Sequence, residues 1–313
     1  MTYVIRTYHP NDFPEYHRLV AEILGNEVSS QLSSQEFLQK KLQRPRFIPH
    51  KDLFLAELKG RLIGFLEINP EPDINRVIVE GGVLPSQRNI GVGSKLLERV
   101  IERSQERKAT RIHFNISQKN VKAARLLSRK NFRMVRIFWE MGTRLLLPQR
   151  IINLKKKWKK DHYTTSSTIH HLQKGKEAEF AHLQNRCFQN TWGFQPNTGE
   201  DISFRINLYG GSYQDILIAE LSNQPVAYCW TLYHPGKKYG HILMLGVVPE
   251  YRGLGLSKQI LSAGMDYLKN KGARNIELTA DSSNQAALQL YQSFGFRKKM
   301  ETHWYELRIQ KQT

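Results

Sequence analysis

The stretch Arg88-Asn89-Ile90-Gly91-Val92-Gly93 returns 164 residues later as Arg252-Gly253-Leu254-Gly255-Leu256-Ser257. Pro85 and Pro249 precede the two arginines by the same number of residues. The constant spacing holds over about fifty residues, and chance similarity would not keep such a register. The sequence therefore predicts two copies of one domain, each built around an arginine-glycine turn.

Upstream of the turn the offset between the copies becomes 163, because Ala56-Glu57-Leu58 corresponds to Ala219-Glu220-Leu221. We interpret this slip of one residue as a change in loop length. The chain has 313 residues, enough for two domains of ordinary size that each bury a core. We predict an N-terminal domain over residues 1–147, a basic linker over 148–165 and a C-terminal domain over 166–313.

The formal net charge of +19 favours a polyanionic partner. Partners of this kind are nucleic acid, an anionic membrane surface, an acidic substrate and a cofactor with several phosphates. The densest basic run, Lys155-Lys156-Lys157-Trp158-Lys159-Lys160, lies between the two copies. We interpret it as a solvated linker in preference to a nucleic-acid site, because no RNP-type aromatic motif or zinc-finger spacing accompanies it.

Cys187 and Cys229 are the two cysteines of the chain, and they lack CxxC or metal-ligand spacing. Neither a disulfide framework nor a metal site is therefore predicted. The first residues, Met1–Arg6, contain no charged leader followed by an apolar run, and no stretch is apolar over the length that spans a bilayer. We expect a cytoplasmic protein without a membrane partner.

Hydrophobic periodicity predicts the same order of strands and helices in both copies, which indicates a mixed α/β fold. The predicted strands are Tyr3–Arg6, Asp52–Leu58, Leu62–Ile68, Val77–Leu84 and Arg111–Ser117 in the first copy, and Asp215–Leu221, Pro225–Tyr233, Gly240–Val248 and Ala273–Ala280 in the second. One predicted helix begins after Asn11-Asp12, and a second carries Leu96, Leu97 and Val100. Three further predicted helices span Val121–Arg129, Ser257–Asn270 and Gln285–Ser293.

Each turn lies where a predicted strand runs into a predicted helix, so that backbone N–H groups can converge on one anion. Gly91 and Gly255 remove the Cβ atoms that would hold phosphate oxygens away from the backbone. Arg88 and Arg252 can add charge and brace the loop. The turns therefore predict a pyrophosphate site. They lack the Gly-Lys-Ser/Thr ending and the acidic partner that nucleotide hydrolysis and hydride transfer require.

The turns resemble the signature Arg/Gln-x-x-Gly-x-Gly/Ala of the GCN5-related N-acetyltransferase (GNAT) superfamily. Arg88, Gly91 and Gly93 match it completely, whereas Ser257 replaces the final small residue in the second copy. The resemblance covers nearly the whole chain. It implies an acetyltransferase that uses acetyl-CoA, with two tandem GNAT domains, each a twisted, mostly antiparallel mixed sheet flanked by helices.

The resemblance also implies which residues contact the cofactor, including backbone groups that a splayed strand leaves free for the pantetheine arm. In the first copy these residues are Gly82, Val83, Leu84, Arg88, Asn89, Ile90, Gly91, Val92, Gly93, Ser94 and Asn120. In the second copy they are Gly246, Val247, Val248, Arg252, Gly253, Leu254, Gly255, Leu256, Ser257 and Asn284.

A second signature lies after the turn. The stretch Asn284–Phe296 resembles the family pattern Asn-x-x-Ala-x-x-Leu-Tyr-x-x-x-Gly-Phe, in which the asparagine contacts the cofactor and the tyrosine serves the leaving thiolate. The resemblance therefore implies a catalytic role for Tyr291, with burial in the core as the alternative. The first copy replaces this tyrosine by Leu127 and the glycine by Asn131. We predict a catalytic second copy and an impaired or structural first copy.

The acceptor amine must lose a proton, so a base is expected on a neighbouring strand. His241 opens the strand before the second turn, where an imidazole is suited to the task. A surface histidine without a catalytic role is the alternative, and His234 is a weaker candidate. Glu80 lies in the corresponding strand of the first copy, where we interpret it as part of the substrate cleft or of a buried pair.

The stretch Phe188–Pro196 resembles the cleft loop of tandem members of the superfamily, and its aromatic residues either line an acceptor site or pin the loop onto the sheet. Cys187 and Cys229 are expected to pack as small apolar residues. The acceptor is a small-molecule amine or a protein amine. The alternative function is a regulatory module that senses acyl-CoA or binds nucleic acid. The sequence leaves the acceptor and the oligomeric state open.

Overall fold

The computed structural model of the protein describes residues 3–25, 34–145 and 167–309, and the basic run Lys155–Lys160 lies outside them. The chain forms two compact units. Unit 1 comprises Met1–Arg136 and His303–Thr313, and unit 2 comprises Ile137–Thr302. Within the described ranges, no helix combines the length and the apolar character needed to cross a membrane.

Unit 1 contains a mixed sheet with helices packed on it. Its strands are β1 (Val4–Thr7), β2 (Leu53–Leu58), β3 (Arg61–Glu71), β4 (Arg76–Val83) and β5 (Arg111–Ser117), which lie side by side in this order. Neighbouring strands are antiparallel except β4 and β5, which are parallel. Its helices are α1 (Phe13–Leu24), α2 (Gln35–Leu42), α3 (Pro49–Asp52), α4 (Val92–Glu106) and α5 (Val121–Arg129).

Unit 2 repeats this arrangement. Its strands include β7 (Thr168–His171), β8 (Ile216–Leu221), β9 (Gln224–His234), β10 (Tyr239–Val247) and β11 (Asn275–Asp281), and its helices are α6 (Glu177–Phe188), α7 (Gly199–Leu208), α8 (Leu256–Asn270) and α9 (Gln285–Ser293). The sheet runs β7-β8-β9-β10-β11 and continues into the end of β6 (Arg133–Arg144). As in unit 1, one pair of neighbouring strands is parallel, here β10 with β11.

The helix after each turn packs through the apolar stripe that the sequence pattern indicates. Leu96 and Val100 of α4 are fully buried, as are Ile260 and Leu261 of α8. Full burial of one such side chain contributes about 1.5–3 kcal/mol, so these stripes hold the helices against their sheets. The prediction of a mixed α/β fold with two tandem domains is confirmed.

Strands β6 and β12 (Arg297–Arg308), which the sequence pattern did not indicate, complete the sheets. In unit 2, Phe138–Arg144 of β6 pairs antiparallel with β11. In unit 1, the end of β12 lies beside β5, where the N–H of Ile309 donates to the carbonyl of Thr110 at 3.0 Å. Each unit therefore contains a strand that the repeat assigns to the other copy. The domain limits 1–147, 148–165 and 166–313 stay a prediction about the repeat.

The one-residue slip between the copies lies in a strand, so its interpretation as a loop-length change was wrong. Strand β4 pairs continuously with β3, whereas the pairing of β10 with β9 shifts register between Ile242 and Met244. Leu243 is the additional residue, and it forms a β-bulge. A bulge adds one residue to one strand of a pair and bends it, which changes the offset from 163 to 164 within β10.

Candidate active site

In each unit the two parallel strands separate part-way along their length. The pairing of β10 with β11 covers Tyr239–Ile242 and Asn275–Leu278, although both strands continue. The pairing of β4 with β5 covers Arg76–Val79 and Arg111–Phe114, and these strands also continue. Backbone groups beyond the last pair face a gap, where an extended ligand can hydrogen-bond to them.

The strand ends beside these gaps are tightly packed. A Cβ at Gly246 would lie 2.8 Å from the Cβ of Cys187, so the packing against α6 requires glycine. The N–H of Val248 already donates to a carbonyl near the start of β9 at 2.9 Å, and Leu84 of unit 1 makes the same bond to β3. Val247 is buried as well. These segments therefore present backbone to the gap while their side chains face the core.

Both turns adopt the conformation that their glycines predict. Gly91 (φ 90°) and Gly255 (φ 79°) occupy the N-cap positions of α4 and α8, and neither helix has a side-chain cap. Gly253 (φ 85°) and its counterpart Asn89 (φ 66°) are also left-handed. Asparagine tolerates this region better than most residues. The N–H groups of the first helical turn are therefore left for an anion.

The two arginines brace the turns from the strand side. The Nε of Arg252 donates to the carbonyl of Val247 at 3.1 Å, and its Nη2 donates to the carbonyl of Cys187 at 2.9 Å. The Nε of Arg88 donates to the carbonyl of Val83 at 3.1 Å. Each guanidinium thus ties the turn to the end of the preceding strand and places a positive charge beside the helix N-terminus.

The other turn residues alternate between solvent and core. Ile90 and Leu254 are exposed at the tips of the turns, whereas Val92 and Leu256 are buried beneath them. The buried pair anchors the turns, because moving it would expose apolar surface. The small residues at the helix starts, Gly93, Ser94 and Ser257, are half-buried.

The two asparagines cap helices. The Oδ1 of Asn284 accepts from the N–H of Ala287 at 3.1 Å, and the Oδ1 of Asn120 accepts from the N–H of Ala123 at 3.2 Å. These bonds satisfy one unpaired donor at the start of α9 and of α5. The NH2 group of each side-chain amide remains able to contact a ligand.

Tyr291 on α9 is buried, with 8% of its surface exposed, and its ring lies edge-on to Phe296 at 6.0 Å. Burial raises the pKa of its phenol, so the group is neutral and can donate a proton. No described residue forms a hydrogen bond with its hydroxyl. Leu127 occupies the equivalent place on α5, is also buried and has no proton to donate.

His241 lies on β10, in register with Leu232 of β9 and Glu277 of β11. Burial lowers its pKa to about 4, and the charge of His234 acts in the same direction. The imidazole is therefore neutral at pH 7 and free to accept a proton, but it is a weak base. Burial also lowers the pKa of His234, whose ring lies 5.4 Å from that of Tyr239.

Glu80 of unit 1 belongs to an ionic network. The Nζ of Lys41 lies 2.8 Å from Glu80 and 2.5 Å from Glu67, and Arg44 lies 3.3 Å from Glu67. Glu67 is fully buried, which raises its pKa, but Arg44 and Lys41 outweigh burial and hold the pKa at about 2. Sequence reasoning missed Glu67 and Lys41, because a single glutamate within an apolar strand was the only available signal.

The aromatic stretch between α6 and α7 packs within unit 2. The rings of Phe188 and Phe194 stack at 5.3 Å, and Trp192 lies 6.2 Å from Phe138 on β6. Cys187 and Cys229 are buried and free, and burial raises the pKa of each thiol to about 12. Thiols with such values are inert as nucleophiles near neutral pH.

Each unit thus places a helix N-terminus without a side-chain cap beside two parallel strands that separate part-way along their length. The family model described as "Acetyltransferase (GNAT) family" matches residues 16–132 and 178–296, which together make up more than half of the chain. The protein belongs to the acetyltransferase (GNAT) family, as a tandem member with two such domains.

Similar proteins agree with this assignment. The chain is 26% identical over 279 residues to a mycothiol acetyltransferase of Stackebrandtia nassauensis, and the match covers 86% of each protein. A GCN5-related N-acetyltransferase from Sphaerobacter thermophilus has a similar structure, with a TM-score of 0.71, 20% identity and coverage of 98% of this chain and 95% of that one. A tandem GNAT protein from the clavulanic acid biosynthesis pathway gives a TM-score of 0.68, with 12% identity and 98% coverage of both chains.

Proposed function

We propose that the protein is an acetyl-CoA-dependent N-acetyltransferase in which unit 2 transfers the acetyl group directly to a primary amine. The observation that carries this proposal is the difference between Tyr291 and Leu127, which occupy equivalent buried places in the two copies. Expulsion of a thiolate is favoured by a proton donor, which a phenol provides and a leucine lacks. The first copy keeps the cofactor turn without this donor.

The residues of unit 2 fit acetyl-CoA, which supplies an activated thioester when bound. Gly255 leaves the first N–H groups of α8 uncapped, and these suit the pyrophosphate. Arg252 adds a positive charge beside them. The gap between β10 and β11 suits the extended pantetheine arm, because Gly246 and Val247 present backbone there.

Two side chains would move protons in this reaction. Tyr291 would protonate the departing sulfur, since burial keeps its phenol neutral. His241 stays our predicted base for the attacking amine; its pKa of about 4 leaves it unprotonated at neutral pH but gives it little basicity. A weak base is sufficient for an amine that arrives with part of its population already neutral.

The acceptor is a primary amine of a small molecule or a protein, and we propose the cytoplasm as the compartment of the reaction. Membership of the acetyltransferase (GNAT) family supports acetyl transfer, and we propose an amine as the class of acceptor. A mycothiol acetyltransferase is a relative at 26% identity, and the clefts of one fold vary more than its core. The amine itself must therefore be found by screening.

Calorimetric titration of acetyl-CoA into the wild type, Gly255→Glu and Gly91→Glu tests the proposal. A carboxylate at Gly255 would place a negative charge against the pyrophosphate and strain a left-handed backbone position. We expect Gly255→Glu to remove binding to unit 2 and to abolish release of CoA in an amine screen. Gly91→Glu is the matched control, and turnover should persist in it.

The same titration can overturn the proposal in two ways. If Gly91→Glu alone stops turnover, unit 1 is the catalytic unit. If the wild type does not bind acetyl-CoA, the chain is not an acetyl-CoA-dependent enzyme, and its net charge of +19 makes nucleic-acid binding the next hypothesis to test.

A further inference from the structure

Glu140 on β6 lies at the gap between β10 and β11 in unit 2. It is the direct cross-strand partner of Thr279, and Thr279 is the first residue of β11 beyond the pairing with β10. Neighbouring strands are about 4.8 Å apart. Glu140 is therefore one strand away from the place where the two parallel strands separate.

Contacts show which face of the sheet Glu140 shares. A Cβ at Gly142 would lie 3.3 Å from Cγ of Glu277, so Gly142 and Glu277 face the same side. Glu140 is two residues from Gly142 on the same strand and points to that side as well. The hydroxyl of Tyr239 donates to Glu277 at 3.1 Å, which places Tyr239 and its neighbour His241 on this face.

The charges on this face are unequally compensated. Glu277 forms an ion pair with Lys299 and accepts the hydrogen bond from Tyr239. Glu140 is half-buried, and among the described residues it forms no hydrogen bond or ion pair. Burial raises the pKa of Glu140, the charge of Glu277 acts in the same direction, and Lys299 opposes both. A partly desolvated carboxylate that forms no ion pair of its own gains from a cationic ligand.

The acid occurs in the unit that also has the proton donor. The residue equivalent to Glu140 in the repeat is Trp304, which belongs to unit 1. Unit 1 therefore combines Leu127 with a tryptophan, whereas unit 2 combines Tyr291 with a glutamate. Two differences that both favour amine acetylation fall in the same unit.

We infer that Glu140 determines acceptor specificity by binding an ammonium group that the acceptor carries in addition to the amine that is acetylated. The inference rests on the proposed function of unit 2. The attacking nitrogen must be neutral and must reach the acyl group at the gap, whereas Glu140 is one strand spacing away, farther than a hydrogen bond of about 3 Å. The ammonium group that Glu140 binds is thus a second one, several bonds from the attacking nitrogen.

Two conjugates of CoA test this without knowledge of the natural acceptor. In both conjugates the sulfur of CoA is joined through a CH2–CO–NH link to an alkyl chain. In one conjugate the chain is aminobutyl and ends in an ammonium group, and in the other it is pentyl and has a methyl group at the same place. Calorimetry with the wild type should show binding of the aminobutyl conjugate on the order of tenfold tighter than that of the pentyl one, because a charge-assisted hydrogen bond is gained.

Glu140→Gln should reduce this preference to about twofold or less and leave the affinity for the methyl-ended conjugate unchanged. Glu179→Gln, which changes an exposed carboxyl group on α6, is the matched control and should keep the wild-type preference. Equal binding of both conjugates by the wild type would overturn the inference and leave the proposed function intact. If neither conjugate binds in a manner sensitive to Gly255→Glu, the proposed function fails as well.

Discussion

The two copies of the repeat keep one backbone and differ in the chemistry placed on it. Asn131 adopts φ 65° where its counterpart Gly295 adopts φ 85°, so the left-handed turn after the helix survives the replacement. One helical turn earlier, Leu127 stands in place of Tyr291 and is equally buried. Packing tolerates a leucine there, but a leucine has no proton to donate. The two copies therefore agree more closely in fold than in the residue that we propose as the proton donor.

A second difference lies on the sheet beside the gap. Unit 1 places Glu67 opposite Glu80, and Lys41 of α2 forms an ion pair with each of them. The equivalent residues of unit 2, Trp230 and Met244, are also cross-strand partners but carry no charge. Unit 1 thus compensates its own charges within this region, whereas unit 2 fills the same place with apolar side chains that are buried or partly buried. This contrast fits a structural first unit and a reactive second one.

The largest effect that we expect from a single substitution is a loss of kcat at Tyr291. We expect Tyr291→Phe to lower kcat by about 10²- to 10⁴-fold, because it removes the proton donor for the sulfur. Binding of acetyl-CoA should change little, since the ring and its packing against Phe296 remain. Stopped-flow or steady-state release of CoA, together with calorimetry, measures both quantities. Leu127→Met in unit 1 is the control, and an unchanged kcat in Tyr291→Phe would remove Tyr291 from the mechanism.

The ionic network of unit 1 gives the next largest effect, on stability. Lys41→Ala would leave Glu67 buried without its closest cation, and we expect the free energy of unfolding to fall by about 3–5 kcal/mol. Urea unfolding followed by circular dichroism measures this change. Lys40→Ala removes the adjacent lysine, whose pair with Glu36 is exposed, and should have no measurable effect. Equal effects of the two variants would show that the network is not a stabilising feature.

The smallest expected effect is a pH dependence from His241 in unit 2. Its pKa is about 4 in the folded protein against an ordinary value of 6.5, so between these values the unfolded chain binds more protons. Its contribution to stability is therefore present above pH 6.5 and is lost as the pH falls towards 4.

Denaturation midpoints of the wild type and of His241→Gln at pH 7 and pH 4.5 check this sign. The midpoint should drop less in the variant, because glutamine does not titrate. His50→Gln, at an exposed position, should keep the wild-type dependence. A larger drop in His241→Gln than in the wild type would contradict the buried, neutral imidazole.

Much of the fold followed from local patterns, and the exceptions have physical reasons. The strands and helices around the turns were predicted because their apolar residues recur at regular spacing. Strand β6 was missed because Arg133, Arg136, Glu140 and Arg144 interrupt that spacing. The β-bulge at Leu243 was mistaken for a loop change, because an extra residue within a strand leaves the same trace in an alignment of two copies.

The sequence by itself determined the duplication, the two arginine-glycine turns and the replacement of Tyr291 by Leu127, because each depends on residue identity and spacing along the chain. Only the tertiary structure decided that β6 completes the sheet of unit 2 and that Glu140 lies opposite Thr279 beside the gap. It also decided that Lys41 neutralises Glu67. These relations join residues far apart in sequence, and cross-strand neighbours are set by sheet pairing, which no local pattern encodes.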